Sequence, residues 1–200
     1  MEHMVICLSR QYGSGGREIG RRLAERLGIA FYDRELIELA AARGEIRVSK
    51  LEDADERRGN PWLFESLYEG NGAVNRGSSP NDTLYWLQSE VIRDKARKEN
   101  CILVGRCADQ VLNRAGIPHL SLYICAPLEE RIKRISSIEQ IDERSALSLI
   151  RKTDKQRKSY YEYYTGGNWG APENYDLCVN SARYGIDQTV ELLVRYCQSL

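Results

Sequence analysis

MVICLSRQYGSGGREIGRRLAERL, residues Met4–Leu27, is the stretch that decides the fold of this chain. Its first part, Val5–Leu8, is an apolar run rich in β-branched residues, which is typical of a strand buried on both faces. A polar, glycine-dense turn follows over Ser9–Gly16, and apolar residues then recur at helical spacing over Ile19–Leu27. The sequence therefore predicts a strand, a glycine turn and a helix in direct succession.

This succession is a layout that binds phosphate. Glycines adopt backbone angles that are closed to other residues, so consecutive N–H groups can point into one cavity. The N-terminus of the following helix adds roughly half a positive charge at the same point. Glycine turns of this kind also occur without a ligand, which is the alternative interpretation. We predict that the phosphate site consists of Arg10, Gly13, Ser14, Gly15, Gly16, Arg17 and Glu18.

The turn departs from the strict P-loop pattern, GxxxxGK[ST]. With Gly13–Gly15 taken as the glycine turn, Gly16 stands at the usual lysine position and Arg17 at that of the magnesium-binding hydroxyl. Because Arg17 lies in the first turn of the helix, we expect its cation to take over the charge of the missing lysine. The pattern favours phosphate binding more strongly than it favours ordinary P-loop catalysis.

Composition excludes several classes of protein. Lys+Arg and Asp+Glu both number 29, and this zero net charge argues against a general binder of nucleic acid or membrane surfaces. No apolar run approaches the roughly 18 residues that span a bilayer, and no signal-peptide pattern opens the chain. The six cysteines form no CxxC pair, which argues against a zinc or redox site. We expect one cytoplasmic domain, residues 1–200, that is a monomer or a weak homo-oligomer.

Four further short apolar runs are predicted to be strands, with helices between them. Strands that alternate with helices form a parallel sheet with right-handed crossovers, and ligands bind at the carboxyl edge of such a sheet. The sequence therefore predicts an α/β fold with five parallel strands. The four runs are Ile29–Tyr32, Cys101–Val104, Leu120–Cys125 and Tyr175–Val179.

Charged side chains follow two of these strands. Asp33 and Glu35 come directly after the second strand, and Arg106 follows the third. We predict that Asp33 contacts the ligand, although an aspartate at this position also suits the N-terminal cap of the next helix. The forked guanidinium of Arg106 can reach a bound anion from the same edge of the sheet.

Two segments do not fit the alternation of strands and helices. Residues from about 45 to 82 are punctuated by glycine, asparagine and proline, which is typical of an excursion over a binding site. Arg151–Tyr164, RKTDKQRKSYYEYY, is the densest cluster of charge. This cluster suits a basic lid over phosphates, and it equally suits a solvated helix face followed by an aromatic packing patch.

With these residues assembled, the chain resembles the cytidylate kinase-like group of P-loop nucleoside monophosphate kinases over nearly all of its length. No one of the motifs is specific alone, but together they are. They are Ser9–Ile19, Phe31–Arg34, Val104–Asp109, Asp154–Arg157 with Tyr160-Tyr161, and Tyr175–Leu177 with Asn180-Ser181.

The resemblance implies a three-layer P-loop kinase fold with a sheet in the order 2-3-1-4-5. It also implies a monophosphate-binding insertion, over about 45–82, and an arginine-rich lid over about 138–164. The reaction implied is phosphoryl transfer from ATP, with Mg²⁺, to CMP, dCMP or a related small acceptor.

The same resemblance assigns roles to individual residues. The glycine turn would hold the donor phosphates, and Arg106 would clamp the acceptor monophosphate. Asp33 would help to bind the acceptor or hold a water on Mg²⁺. The catalytic arginines implied are Arg17, Arg106, Arg151 and Arg157, and the acceptor-binding residues implied are Asp33, Glu35, Arg106, Asp109 and Asp154.

Three functions remain open at this point. The first is the phosphotransferase, which the lid arginines and Arg106 favour. The second is a non-catalytic nucleotide- or anion-binding module descended from a kinase, which the Gly16-Arg17 pair favours. The third is a structural role with an empty turn.

Overall fold

Five parallel strands form the sheet of the computed structural model, which describes residues 3–44 and 80–199. The strands follow one another in the spatial order β2-β3-β1-β4-β5, which confirms the predicted 2-3-1-4-5 arrangement. Their bounds are β1 (Val5–Arg10), β2 (Ala30–Tyr32), β3 (Cys101–Val104), β4 (Leu120–Cys125) and β5 (Leu177–Asn180).

Seven α-helices flank this sheet in the described part of the chain. None of these helices is both long enough and apolar enough to cross a membrane. They are α1 (Gly16–Leu27), α2 (Glu35–Gly44), α3 (Pro80–Lys98), α4 (Ala108–Arg114), α5 (Leu128–Glu139), α6 (Glu143–Thr165) and α7 (Ser181–Gln198).

Strand β1 lies at the centre because it is apolar on both faces. Alternate side chains of a strand point to opposite faces, so Val5 and Cys7 enter one core and Ile6 and Leu8 enter the other. The first core is closed by α2, α3 and α4, and the second by α1 and α7. The result is a three-layer arrangement in which helices cover both faces of a parallel sheet.

Several predicted boundaries differ from those observed. Strand β1 extends to Arg10 because Arg10 pairs with Ile124 of β4. Strand β5 begins at Leu177 rather than Tyr175, since a 3₁₀ turn over Pro172–Asn174 leads into it. In α7 the backbone breaks at Gly185, where φ is 74° and ψ is 170°.

The two predicted functional segments are only partly described. The insertion predicted over about 45–82 lies outside the described residues except for its last three, which form the first turn of α3. The lid predicted over about 138–164 corresponds to the end of α5 and nearly all of α6. The prediction that this segment acts as a lid over phosphates stays a prediction.

The junction between β5 and α7 is tied to the glycine turn by one buried hydroxyl. Ser181 Oγ lies 2.6 Å from the carbonyl oxygen of Ser14 and 3.2 Å from that of Cys125. Ser181 is only 4% exposed, so neither carbonyl can easily exchange this donor for water.

Replacement of Ser181 by alanine should therefore destabilise the fold. We expect Ser181→Ala to lower the free energy of unfolding by about 1–3 kcal/mol, because a buried acceptor is left without its donor. Urea unfolding followed by circular dichroism measures the change. Ser199→Ala is the control, since the exposed Ser199 hydroxyl bonds only the nearby Tyr196 carbonyl. Equal unfolding curves for Ser181→Ala and the parent would contradict the structural role of this hydroxyl.

Candidate functional site

A cleft lies at the carboxyl edge of the sheet, beside the glycine turn. Its volume is about 910 Å³, which is within the range that holds a nucleotide-sized ligand. The described residues that line it include seven arginines and four carboxylates, so positive charge dominates. The arginines are Arg10, Arg17, Arg21, Arg34, Arg106, Arg134 and Arg157, and the carboxylates are those of Glu18, Asp33, Glu35 and Glu139.

The glycine turn forms one wall of this cleft, and hydrogen bonds within the turn and to the residue after β4 fix it in place. Gly13 and Gly15 have φ values of 82° and 77°, in the left-handed region that glycine enters without strain. The Ser14 hydroxyl donates to the Gln11 carbonyl at 2.8 Å, and the Gly16 N–H donates to Ser14 Oγ at 3.3 Å. The side chain of Gln11 in turn accepts the N–H of Ala126 at 3.0 Å.

Four backbone N–H groups of the turn have no hydrogen-bond acceptor within the described residues. They belong to Gly13, Gly15, Arg17 and Glu18, and all four residues line the cleft. The last two lie in the first turn of α1, where N–H groups have no partner inside their own helix. Unpaired donors at a helix N-terminus suit an anion, because the helix dipole favours negative charge there.

Opposite the turn, the carboxylate of Asp33 binds several arginines. Arg17 Nε lies 2.6 Å from Asp33 Oδ2, Arg106 Nη1 lies 3.1 Å from Oδ1, and Arg10 Nη2 lies 3.7 Å from Oδ1. Asp33 and Arg106 are buried, with 4% of each residue exposed, whereas 64% of the Arg17 side chain is exposed. Three guanidinium groups thus meet at one carboxylate.

Arg106 reaches this cluster from a strained backbone. Gly105, Arg106 and Cys107 all have left-handed φ values, 72°, 52° and 56°. Such a conformation costs about 1–2 kcal/mol for each residue other than glycine, so the surrounding structure has to hold it in place. Arg106 Nη1 also donates to the carbonyl of Val104 at 3.1 Å, which fixes the side chain over the end of β3.

Helices α5 and α6 hold the glycine turn from above, through the peptide groups of Tyr12. The Tyr12 N–H donates to Asp154 Oδ1 at 2.8 Å, and the Tyr12 carbonyl accepts from Arg131 Nη1 at 3.2 Å. Arg131 and Asp154 also pair with each other at 2.5 Å. Arg157 adds a bond to the Arg10 carbonyl at 3.3 Å, and its guanidinium lies 5.7 Å from the centre of the Tyr12 ring.

Matches to other proteins agree with this arrangement. The sequence model of the cytidylate kinase-like family matches residues 5–183. The chain belongs to the cytidylate kinase-like family. A cytidylate kinase of Ignicoccus hospitalis is 25% identical over 191 residues, covering 96% of this chain and 97% of that protein.

Solved structures show the same fold. An uncharacterized protein from Eubacterium ventriosum superposes with a TM-score of 0.71 at 26% identity, covering 99% of this chain and all of that one. Shikimate kinase from Bacteroides thetaiotaomicron superposes with a TM-score of 0.55 at 14% identity, covering 98% of each chain. The second match concerns the fold alone.

In this cytidylate kinase-like chain, the predicted site residues divide into two groups. The glycine turn, Asp33, Glu35, Arg106 and Arg157 meet at the cleft, and Glu35 Oε2 accepts the N–H of Asp33 at 2.9 Å. Asp154 lies behind the turn, where it contacts Tyr12 and Arg131. Arg151 is exposed on α6 and is not among the described residues that line the cleft. Asp109 is 3% exposed and accepts the hydroxyl of Tyr161 at 2.7 Å, away from the cleft lining.

Sequence reasoning missed two arginines that the structure brings to the turn. Arg131 and Arg134 follow β4 on α5, and Arg134 Nη2 binds Glu18 Oε2 at 2.5 Å. Arg34 lines the cleft between Asp33 and Glu35, as expected of a charged residue that follows a strand at the carboxyl edge of the sheet. The sequence carried a signal for the first two, since Arg131, Lys133 and Arg134 form a basic helix start after a predicted strand. That signal does not distinguish a solvated face from a ligand-facing one.

The burial of Asp109 predicts a pH dependence of stability. Burial raises the pKa of the Asp109 carboxyl above its usual range, although the hydrogen bond from Tyr161 opposes this. A raised pKa means that the folded protein favours the protonated form, so stability falls as the pH rises through the interval between the unfolded and folded pKa values. The limiting slope is about 1.4 kcal/mol per pH unit.

Asp109→Asn should remove this dependence while keeping an acceptor for Tyr161. We expect the variant to be more stable than the parent at pH 7 in urea unfolding, with the difference shrinking towards pH 4. Asp94→Asn is the matched control, because the hydrogen bond from Lys98 lowers the pKa of Asp94 and predicts the opposite sign. A stability difference for Asp109→Asn that stays constant from pH 4 to pH 7 would show that its ionisation is not involved.

Proposed function

We propose that this chain transfers a phosphoryl group from ATP to CMP, dCMP or a related small phosphate-bearing acceptor. The family and the fold neighbours support a nucleoside monophosphate kinase-like function. The observation that carries the finer proposal is the cleft itself. It combines unpaired N–H donors of a glycine turn with arginines from β1, β3, α5 and α6 around one space.

The donor phosphates would lie on the glycine turn. Backbone N–H groups of Gly13, Gly15, Arg17 and Glu18 are the available donors there. Phosphoryl transfer needs little covalent chemistry from the protein, so positioning and neutralisation of charge are the main contributions. A preorganised set of donors provides both without reorganisation during the reaction.

The acceptor phosphate would bind on the other side of the cleft, beside Arg106. An arginine fork can form two parallel hydrogen bonds to a phosphate, which fixes the acceptor oxygen for attack. Asp33 holds the guanidinium of Arg106 in place at 3.1 Å, and it is therefore a positioning residue for this contact. Arg157 would neutralise charge from α6, and Arg151 would join it only if α6 moves, since Arg151 is exposed.

Magnesium fits this cleft mainly as an ion held by phosphates. Mg²⁺ keeps several waters and commonly uses one or two carboxylates together with substrate phosphates. Asp33 and Glu35 are adjacent carboxylates on the cleft wall, but both Asp33 oxygens already bind arginines. Asp33 would therefore hold the ion through water. When bound, the ion supplies neutralisation of charge on the donor phosphates.

A non-catalytic binding module is the second candidate, and one observation favours it. Gly16 and Arg17 replace the lysine and hydroxyl of the ordinary pattern, and the Arg17 side chain binds Asp33 at 2.6 Å. A cleft with these features can bind a nucleotide without accelerating transfer. The kinase forms ADP from ATP when an acceptor is present, whereas the binding module forms none.

The kinase predicts ADP formation that depends on a monophosphate. We expect the full chain, incubated with ATP and Mg²⁺, to form ADP at least tenfold faster with CMP or dCMP than without acceptor, by analogy with the named relatives. Coupled assay of ADP over a panel of nucleoside monophosphates measures this. ATP binding by calorimetry without ADP formation from any monophosphate would favour the binding module.

Arg106→Lys tests the acceptor contact. Lysine keeps the charge but loses the forked geometry, so we expect KM for the acceptor to rise about tenfold or more with KM for ATP little changed. Steady-state kinetics after a check of folding by circular dichroism provides the measurement. Arg97→Ala is the control, because Arg97 is exposed on α3 near the opposite edge of the sheet. An increase confined to KM for ATP would reassign Arg106 to the donor side.

A further inference from the structure

The ordinary phosphate-binding pattern has two glycines, and this chain lacks the first of them. With Gly15 as the second glycine, the first glycine position is that of Arg10 and the lysine position is that of Gly16. A long cation therefore stands where the pattern has glycine, and glycine stands where the pattern has a long cation. These two departures face each other in the structure.

The space beside Gly16 explains why they occur together. A Cβ built on Gly16 would lie 2.6 Å from the Cβ of Arg10 and 3.2 Å from the Cβ of Ile124. The first distance is shorter than any real carbon contact, and Arg10 Cβ is attached to the backbone of the central strand and cannot move aside. Gly16 is not among the residues with positive φ, so glycine is needed here for room and not for its conformation. No side chain at position 16 fits while position 10 carries one.

We propose that Arg10 and Gly16 are an exchanged pair, in which Arg10 supplies from the end of β1 the phosphate-binding cation that the ordinary pattern supplies from the first turn of α1. The inference rests on the proposed function, because it assigns a residue to the donor phosphates. It replaces the expectation that Arg17 takes over the charge of the lysine.

The position of the Arg10 side chain supports this assignment. It begins 2.6 Å from the point where a side chain of residue 16 would begin, and both lysine and arginine are long enough to extend from there along the cleft. Arg10 is 7% exposed and lines the cleft, and its Nη2 lies 3.7 Å from Asp33 Oδ1. The Arg157 guanidinium binds the Arg10 carbonyl at 3.3 Å and fixes the backbone from which the side chain starts.

Arg17 also lines the cleft and contacts Asp33, but it differs from Arg10 in exposure and in where its side chain starts. Its side chain is 64% exposed, and its Nε is held by Asp33 Oδ2 at 2.6 Å. It follows Gly16 in the helix, so its side chain leaves the helix about 100° further round the axis than one at position 16 would. A largely exposed guanidinium contributes less to a bound anion than one buried in the wall of the site, because solvent and salt screen its charge.

The packing half of the proposal is tested without any ligand. Gly16→Ala should lower the melting temperature of the parent by about 3–10 °C, because the new methyl group overlaps Arg10 Cβ. In the Arg10→Gly variant, Gly16→Ala should lower the melting temperature by less than a third of the loss that it causes in the parent. Thermal unfolding of the four proteins of this cycle gives the coupling. Equal losses in the two backgrounds would overturn the claim that residues 10 and 16 compete for one space.

The binding half is tested with inorganic pyrophosphate as the probe, by calorimetry on the full chain. Arg10→Ala should weaken binding about tenfold to a hundredfold, as loss of a charge-assisted contact does. Arg17→Ala should weaken it about threefold or less, and Arg97→Ala should leave it unchanged. The reverse ranking, with Arg17→Ala the more damaging, would overturn the assignment to Arg10 and restore Arg17.

Restoring the ordinary pattern provides the decisive comparison. The double variant Arg10→Gly/Gly16→Lys should bind pyrophosphate at least tenfold more tightly than Arg10→Gly/Gly16→Ala, which has the same space at position 10 but no cation. Both are folded if their melting curves match that of Arg10→Gly. Equal affinity of the two double variants would overturn the exchange.

The outcomes separate this inference from the proposed function. If the parent binds pyrophosphate and ATP but the double variants do not differ, the exchange is wrong and the phosphate site remains. If the parent binds neither, both the exchange and the proposed function are wrong.

Discussion

The carboxylate of Asp33 is the charge on which the arrangement of the cleft depends. Arginines from three separate elements converge on it, and without a negative group their mutual repulsion would drive them apart. Buried guanidinium groups also need partners to offset the loss of hydration. Asp33 therefore allows these guanidinium groups to lie close together.

The glycine turn is held by contacts that leave its cleft-facing N–H groups without an acceptor among residues 3–44 and 80–199. Gln11 and Ser14 satisfy the lower part of the turn, and Asp154 and Arg131 satisfy the peptide groups of Tyr12 from above. Each of these bonds removes a way in which the turn could fold in on itself. The turn is consequently rigid where it meets the protein and open where it meets the cleft, which is the preorganisation that electrostatic catalysis needs.

Local patterns in the sequence were enough to predict the sheet, its order through the family resemblance, and the position of the glycine turn. Periodicity and glycine spacing are properties of neighbouring residues, so β1 and α1 could be predicted from the local sequence alone. The contact between Tyr12 and Asp154 joins residues 142 positions apart, and nothing local marks it. The sequence likewise gives no sign of the left-handed backbone at Arg106 and Cys107, because only the adjoining Gly105 belongs to a residue type that favours this conformation. The crowding between Arg10 and Gly16 appears only when β1 and α1 are placed together.

The hydrogen bonds to the backbone of Tyr12 couple the glycine turn to helices α5 and α6. The Tyr12 N–H, in the peptide group that joins Gln11 to Tyr12, is bonded to α6, and the Tyr12 carbonyl, in the next peptide group, is bonded to α5. Rotation of either group must therefore shift one of these helices or break its bond. Thermodynamic reciprocity then requires that anything which displaces α5 and α6 change the affinity of the turn for phosphate by the same factor. Occupancy of the cleft and the position of α5 and α6 are thereby linked through the two peptide planes that meet at the Cα of Tyr12.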